Sequence, residues 1–138
     1  MKPPEQIRAE LARQWLDRAE ADWRLCHRLM EDPEPYLEAT AFHCQQAAEK
    51  YLKAYLTWHQ TEFPKTHDIK HLIELIGSCD KALAENIEEA VSLTPYAVEY
   101  RYPGDHPQLT AHEVAQALTV ADRVRNEIGT SLRDELDL

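Results

Sequence analysis

Apolar residues recur along most of this chain at helical spacing. From Glu5 to Glu31 they fall at Ile7, Leu11, Trp15, Ala19, Trp23, Cys26 and Leu29/Met30, with Asp22 alone intruding on the stripe. Glu10, Arg13, Asp17, Glu20, Arg24 and Arg28 take the opposite side. One apolar face repeating at about 100° per residue predicts a long amphipathic helix. Asp32-Pro33-Glu34-Pro35 ends it, since proline lacks the N–H a helix interior needs. A second helix is expected from about Tyr36 to His59, with Leu37, Ala41, Cys44, Ala48, Tyr51/Leu52 and Tyr55 as its core stripe. The loop 60–65 stops it. Thr66 or Asp68 then caps a third helix carrying Ile69, Leu72, Ile73 and Ile76, which breaks at Gly77-Ser78. A fourth helical piece should run from about Lys81 to Leu93, with Leu83, Ile87 and Ala90/Val91 inward.

Pro95 disrupts that pattern. The stretch 94–107 holds three prolines and a glycine and reads as a short turn of helix and then a loop. Thr110 caps the last helix, with Glu113 three residues on as a capping box. Its core stripe is Val114, Leu118 (or Ala117), Ala121, Val124, Ile128 and Leu132. No β-alternating run survives. The expectation is one all-α domain over residues 1–138, an up-and-down bundle of four or five helices whose sequential members are antiparallel neighbours.

Composition narrows what such a bundle can do. The chain has 138 residues and a formal net charge of −10, which excludes a surface-wide grip on nucleic acid but not a small basic site. Only 3 glycines occur, so no Gly-rich phosphate loop can be built. Cys26, Cys44 and Cys79 form neither a metal-type pair nor a disulfide framework and read as thiols in a reducing cytoplasm. The first residues have no apolar run of a signal peptide, and no later run is long enough to span a membrane. A cytoplasmic protein without a cofactor is expected.

Basic residues outnumber acidic ones only between about residues 39 and 71, which also holds His43, His59, His67 and His71. On the second helix His43, Gln46, Lys50 and Lys53 form one polar stripe opposite the core stripe. That stripe is a solvated face, or, with Phe42 on the same side, a contact surface. An anionic ligand would meet Lys50 and Lys53 there, together with Arg101 if the fold brings it near. Phe42 and the tyrosines Tyr96, Tyr100 and Tyr102 are candidates for a subunit interface. His67-Asp68-Ile69-Lys70-His71 has the spacing of a zinc helix, but no obvious third ligand comes soon after. It reads as a helix start, with no metal. Arg101 and His106, in the Pro/Gly stretch, are types suited to metal-free RNA cleavage: a base near neutrality and a cation for the phosphorane charge.

Phe42-His43-Cys44-Gln45-Gln46-Ala47-Ala48-Glu49-Lys50-Tyr51-Leu52-Lys53-Ala54-Tyr55-Leu56 resembles the second helix of the HEPN domain ("higher eukaryotes and prokaryotes nucleotide-binding"). Pro64-Lys65-Thr66-His67-Asp68-Ile69, then Leu72-Ile73, is similar to the family's next segment. Tyr100-Arg101-Tyr102-Pro103-Gly104-Asp105 is similar to its Arg-Tyr-Pro segment. The resemblance covers nearly the whole chain. It implies an all-α homodimer, often encoded beside a minimal nucleotidyltransferase in a toxin–antitoxin-like setting. It also implies nucleotide or RNA binding, with an Arg–His pair at the dimer cleft in those members that are ribonucleases. Arg101 and His106 fit the spacing of that pair. In the nuclease members a polar residue stands directly after the Arg and a Tyr two residues after the His; Tyr102 and Gln108 stand there in this chain. Two readings remain: a dimeric binding module for nucleotide, RNA or a nucleotidyltransferase partner, and a metal-independent endoribonuclease.

Overall fold

The computed structural model describes residues 2–98 and 108–136, the side chain of Asp134 excepted. Among them are six α-helices and no strand. Helix α1 is Pro4–Leu29, with proline in its first turn, where a missing N–H costs nothing. A 3-10 turn, Glu34–Tyr36, leads into α2, Leu37–Trp58. Helix α2 ends without glycine. Gln60 takes φ 56°, and the Thr61 and Gln60 amides donate back to the carbonyls of Leu56 and Thr57. This closing pattern satisfies carbonyls that the helix leaves open.

Asp68, not Thr66, caps α3, Ile69–Gly77: its carboxylate accepts from the His71 amide. Asp80 caps α4, Lys81–Asn86, in the same way. The expected fourth helix is split. Ile87 leaves helical geometry at φ −112°, ψ 10°, and a 3-10 stretch, Glu88–Leu93, continues in its place. Pro95 opens the expected short turn of helix, α5, Pro95–Val98. Helix α6, Ala111–Leu136, starts with both halves of the expected capping box. The Thr110 amide donates to Glu113 Oε1, and the Glu113 amide donates to Thr110 Oγ1.

Contacts fix the directions of these helices. Asp22 meets His43 and Lys50 while Arg8 lies over Trp58, so α1 and α2 are antiparallel. Arg13 bonds the Leu136 carbonyl and Glu20 bonds Arg125, so α1 and α6 are antiparallel too. Helices α2 and α6 therefore run parallel. The return between them is a broken rung of α4, the 3-10 stretch and α5, from Cys79 beside Thr61 to Tyr96 beside Ala41. This is the up-and-down bundle, with its third rung in pieces.

Helix α2 sits at the centre. It is buried almost all round from Thr40 to Leu56, by α1, α3, α6 and the broken rung. The expected solvated stripe of His43, Gln46, Lys50 and Lys53 is therefore not an open face: Lys53 is buried and the other three are half-buried. A central helix has no side left for water. The face of α1 also differs from expectation in its first half. Ala12 and Leu16 are buried, whereas Ile7 and Leu11 are 43% and 47% exposed. Ala19 and Cys26 point inward as expected. Leu16→Ala should cost about 2–5 kcal/mol and Leu11→Ala less than about 1, measured by urea denaturation.

Candidate functional site

The carboxylate that interrupts the α1 stripe is the centre of a polar cluster. Asp22 Oδ1 lies 2.8 Å from His43 Nδ1, and Asp22 Oδ2 lies 2.5 Å from Lys50 Nζ. Burial pushes the Asp22 carboxyl up, but the hydrogen bonds from His43 and Lys50 outweigh it and hold it below the ordinary aspartate range. An ionised carboxylate only accepts, so the His43 Nδ1 carries the proton. Phe42 packs edge-on against the His43 ring, centroids 5.2 Å apart. His43 is thus an oriented imidazole at the half-buried edge of α2, with a lysine sharing its carboxylate.

On another side of α2, Glu49 gathers a second cluster. Its Oε2 accepts from Lys53 Nζ at 2.9 Å, and its Oε1 accepts from Gln45 Nε2 at 3.1 Å and from His67 Nδ1 at 2.7 Å. Gln45 also donates to the His67 carbonyl, and its own Oε1 accepts from Gln46. Glu49 and Lys53 are nearly sealed, their side chains 5% and 8% exposed. The Lys53 ammonium lies 5.4 Å from the Trp15 ring and 5.9 Å from Phe63. Buried charge of this kind is tolerable only when paired and hydrogen-bonded. His67 precedes α3, which starts at Ile69, so His67 and His71 do not share a helical face as a zinc helix would require. Among the described residues no group of three metal-ligating side chains forms.

A third cluster ties α6 to α1. Arg125 forks onto Glu20 at 2.6 and 3.3 Å, and its guanidinium stacks 3.8 Å above the Trp23 ring. The Tyr51 hydroxyl donates to the same Glu20 oxygen at 2.6 Å. Burial raises the Glu20 carboxyl, and the Arg125 and Tyr51 hydrogen bonds bring it below the ordinary glutamate range. Asp122 accepts from the Trp23 indole and lies 3.0 Å from His27 Nε2.

Of the candidate residues, Lys50 stands at a partly exposed edge and Lys53 in the interior, each held by a carboxylate. Phe42 and Tyr96 are half-buried, and Tyr96 packs near Ala41. Tyr100, Arg101, Tyr102 and His106 lie outside the described residues. The sequence did not mark Asp22, Glu49 or Glu20 as centres. Asp22 carried a usable signal, a charge in the middle of an apolar stripe, and Glu49 stood four residues from both Gln45 and Lys53; the partners of Glu20, Tyr51 and Arg125, lie far along the chain.

The bundle and its buried and half-buried carboxylate–cation clusters define an all-α domain held by ion pairs within and between its helices as well as by its core. The family model for the HEPN domain matches residues 12–131, and the chain belongs to that family. HEPN domains are generally associated with nucleotides or RNA and are often dimeric. No curated protein and no solved structure matches. Among the described residues no helix is long and apolar enough to cross a membrane.

The clusters make stability depend on charge in two measurable ways. Glu49→Ala should cost about 3–5 kcal/mol by leaving Lys53 buried without its carboxylate. Adding Lys53→Met should recover a large part of that loss in a urea double-mutant cycle. The acid limb should also be steep. Asp22 and Glu20 titrate below 3.8 and 4.5, so their ionised contacts stabilise the fold above those values and are lost as pH falls through the lowered ones. The stability gap between wild type and Asp22→Asn should be full near neutral pH and shrink as pH drops below about 4.

Proposed function

We propose that this chain is a small dimeric HEPN module that binds a phosphate group of a nucleotide or RNA, with Arg101 as its main anchor and Lys50 beside it. The working partner is a minimal nucleotidyltransferase in a toxin–antitoxin-like setting. The observation that carries the reading is the family match over residues 12–131, which spans Arg101 and His106. Arg suits a phosphate because its planar fork donates two hydrogen bonds to one anion. The surroundings of α2 add support. Tyr96 and Leu109, on either side of the segment holding Arg101, belong to one apolar cluster with Ala41 and Val114, near the start of α2. Lys50 fits the role better than Lys53, because its side chain is 22% exposed and a phosphate could share it with Asp22. Lys53 is enclosed by Glu49 and two rings. Phe42, Tyr96, Tyr100 and Tyr102 are the aromatic surface proposed for the dimer.

Fluorescence anisotropy with ATP and with a short labelled single-stranded RNA tests this. Arg101→Ala should weaken binding about tenfold or more, a lost charge-assisted contact, while His106→Ala changes it little. Affinity should fall as salt rises from low to physiological. Wild-type binding by Arg101→Ala overturns the proposal. Chelator-resistant RNA cleavage that both substitutions abolish would replace it with the ribonuclease reading, in which base and anion stabiliser act in one step.

A further inference from the structure

Helix α1 carries a second seam that its own fold leaves uncovered. Ile7, Leu11, Gln14, Arg18, Ala21 and Leu25 recur at alternating spacings of four and three and are all exposed. Three of the five large exposed apolar side chains among the described residues, Ile7, Leu11 and Leu25, lie on it. The face that packs into the bundle, through Ala12, Leu16, Ala19 and Cys26, is about a third of a turn away. Alternation of four and three is the spacing by which one helix receives another along a coiled-coil seam.

The seam is complementary to itself in one direction only. Let a second copy lie antiparallel with the two-fold axis between Gln14 and Arg18. Ile7 then meets Leu25, Leu11 meets Ala21 and Gln14 meets Arg18, each twice. The flanking positions Glu10, Asp17 and Arg24 pair in the same operation: Glu10 faces Arg24 on both sides of the axis. Asp17 meets its own copy at the centre, where Arg18 of each chain is adjacent. A parallel copy in register would leave Glu10 and Arg24 at opposite ends of the pair, so neither would find its opposite charge. The apolar ends have a place to go as well. A shallow groove walled by Pro4, Ile7, Leu11 and Thr57 lies where the second copy's Leu25 would fall. Glu10 already pairs with Lys2 at 3.0 Å, an exposed pair of little worth that Arg24 can join.

We propose that the outer face of α1 binds a second copy of this chain as an antiparallel helix pair, a self-association surface separate from the aromatic residues Phe42 and Tyr96. Sedimentation of the full chain over a concentration series tests the charge pattern. Glu10→Arg and Arg24→Glu should each weaken this association about tenfold or more, and the two together should restore it. Circular dichroism checks that each variant keeps its helices. Position is tested with a short bismaleimide crosslinker in a Cys79→Ser background, since Cys79 is the exposed cysteine and Cys26 and Cys44 are buried. Asp17→Cys should give a covalent dimer, because it faces itself across the axis, and Glu10→Cys should not. Unchanged association in both single charge variants overturns the proposal, and so does a crosslink at residue 10 equal to that at residue 17. Variants at Phe42 or Tyr96 leave the crosslink at residue 17 in place, which separates failure of this surface from failure of the aromatic one.

Discussion

A carboxylate sealed between two helices forces the facing helix to supply its donors. Asp22 sits 8% exposed on the packing face of α1, where a leucine or alanine would meet the periodicity. Its two oxygens are taken by His43 and Lys50, two turns apart on α2. Sliding α2 by one turn would leave the buried carboxylate without its donors, at a cost on the order of several kcal/mol. Apolar packing tolerates small shifts in register; this arrangement does not. Glu49 plays the same part for the chain after α2, clamping His67 at the entrance to α3, and the half-buried Glu20 ties α6 to α1 through Arg125. The three carboxylates face three different elements, so together they set how each is placed against the α1–α2 pair.

This internal use of charge bears on function. In a chain with net charge −10 acidic groups outnumber the cations, and some of the cations are already held by carboxylates. Lys53 is buried in its pair with Glu49, and Arg125 is held by Glu20 and Trp23. Lys50 is the intermediate case, paired yet partly exposed. A phosphate arriving there meets an ammonium already oriented by Asp22, and must share it with that carboxylate. The His43 imidazole, fixed through Nδ1 by the same carboxylate, sits beside it.

Two of the three motifs that carried the family resemblance hold elements of the fold together; the third, residues 100–105, lies outside the described residues. Gln45, Glu49 and Lys53 belong to the α2 motif and His67 to the Thr-His-Asp motif, and they close on one another in a single hydrogen-bonded cluster. Their spacing was visible in the sequence; their meeting was not, because 18 residues and a loop separate Glu49 from His67. The polar stripe on α2 was visible too. Its burial was not, since helical periodicity reports which residues share a face and not how many neighbours a helix has.

The sequence by itself determined the all-α class, most helix limits, the capping box of α6 and the family, because these rest on local spacing, caps and proline positions within a few turns. It also showed Asp22 as an anomaly. Only the tertiary structure decided that Asp22 is a centre rather than an intruder, that Leu16 and not Leu11 faces the core, that α2 is enclosed, and that its lysines are partnered. Each of these depends on which elements lie against a given face, and that is set by contacts between residues far apart in the chain, such as Glu20 with Arg125.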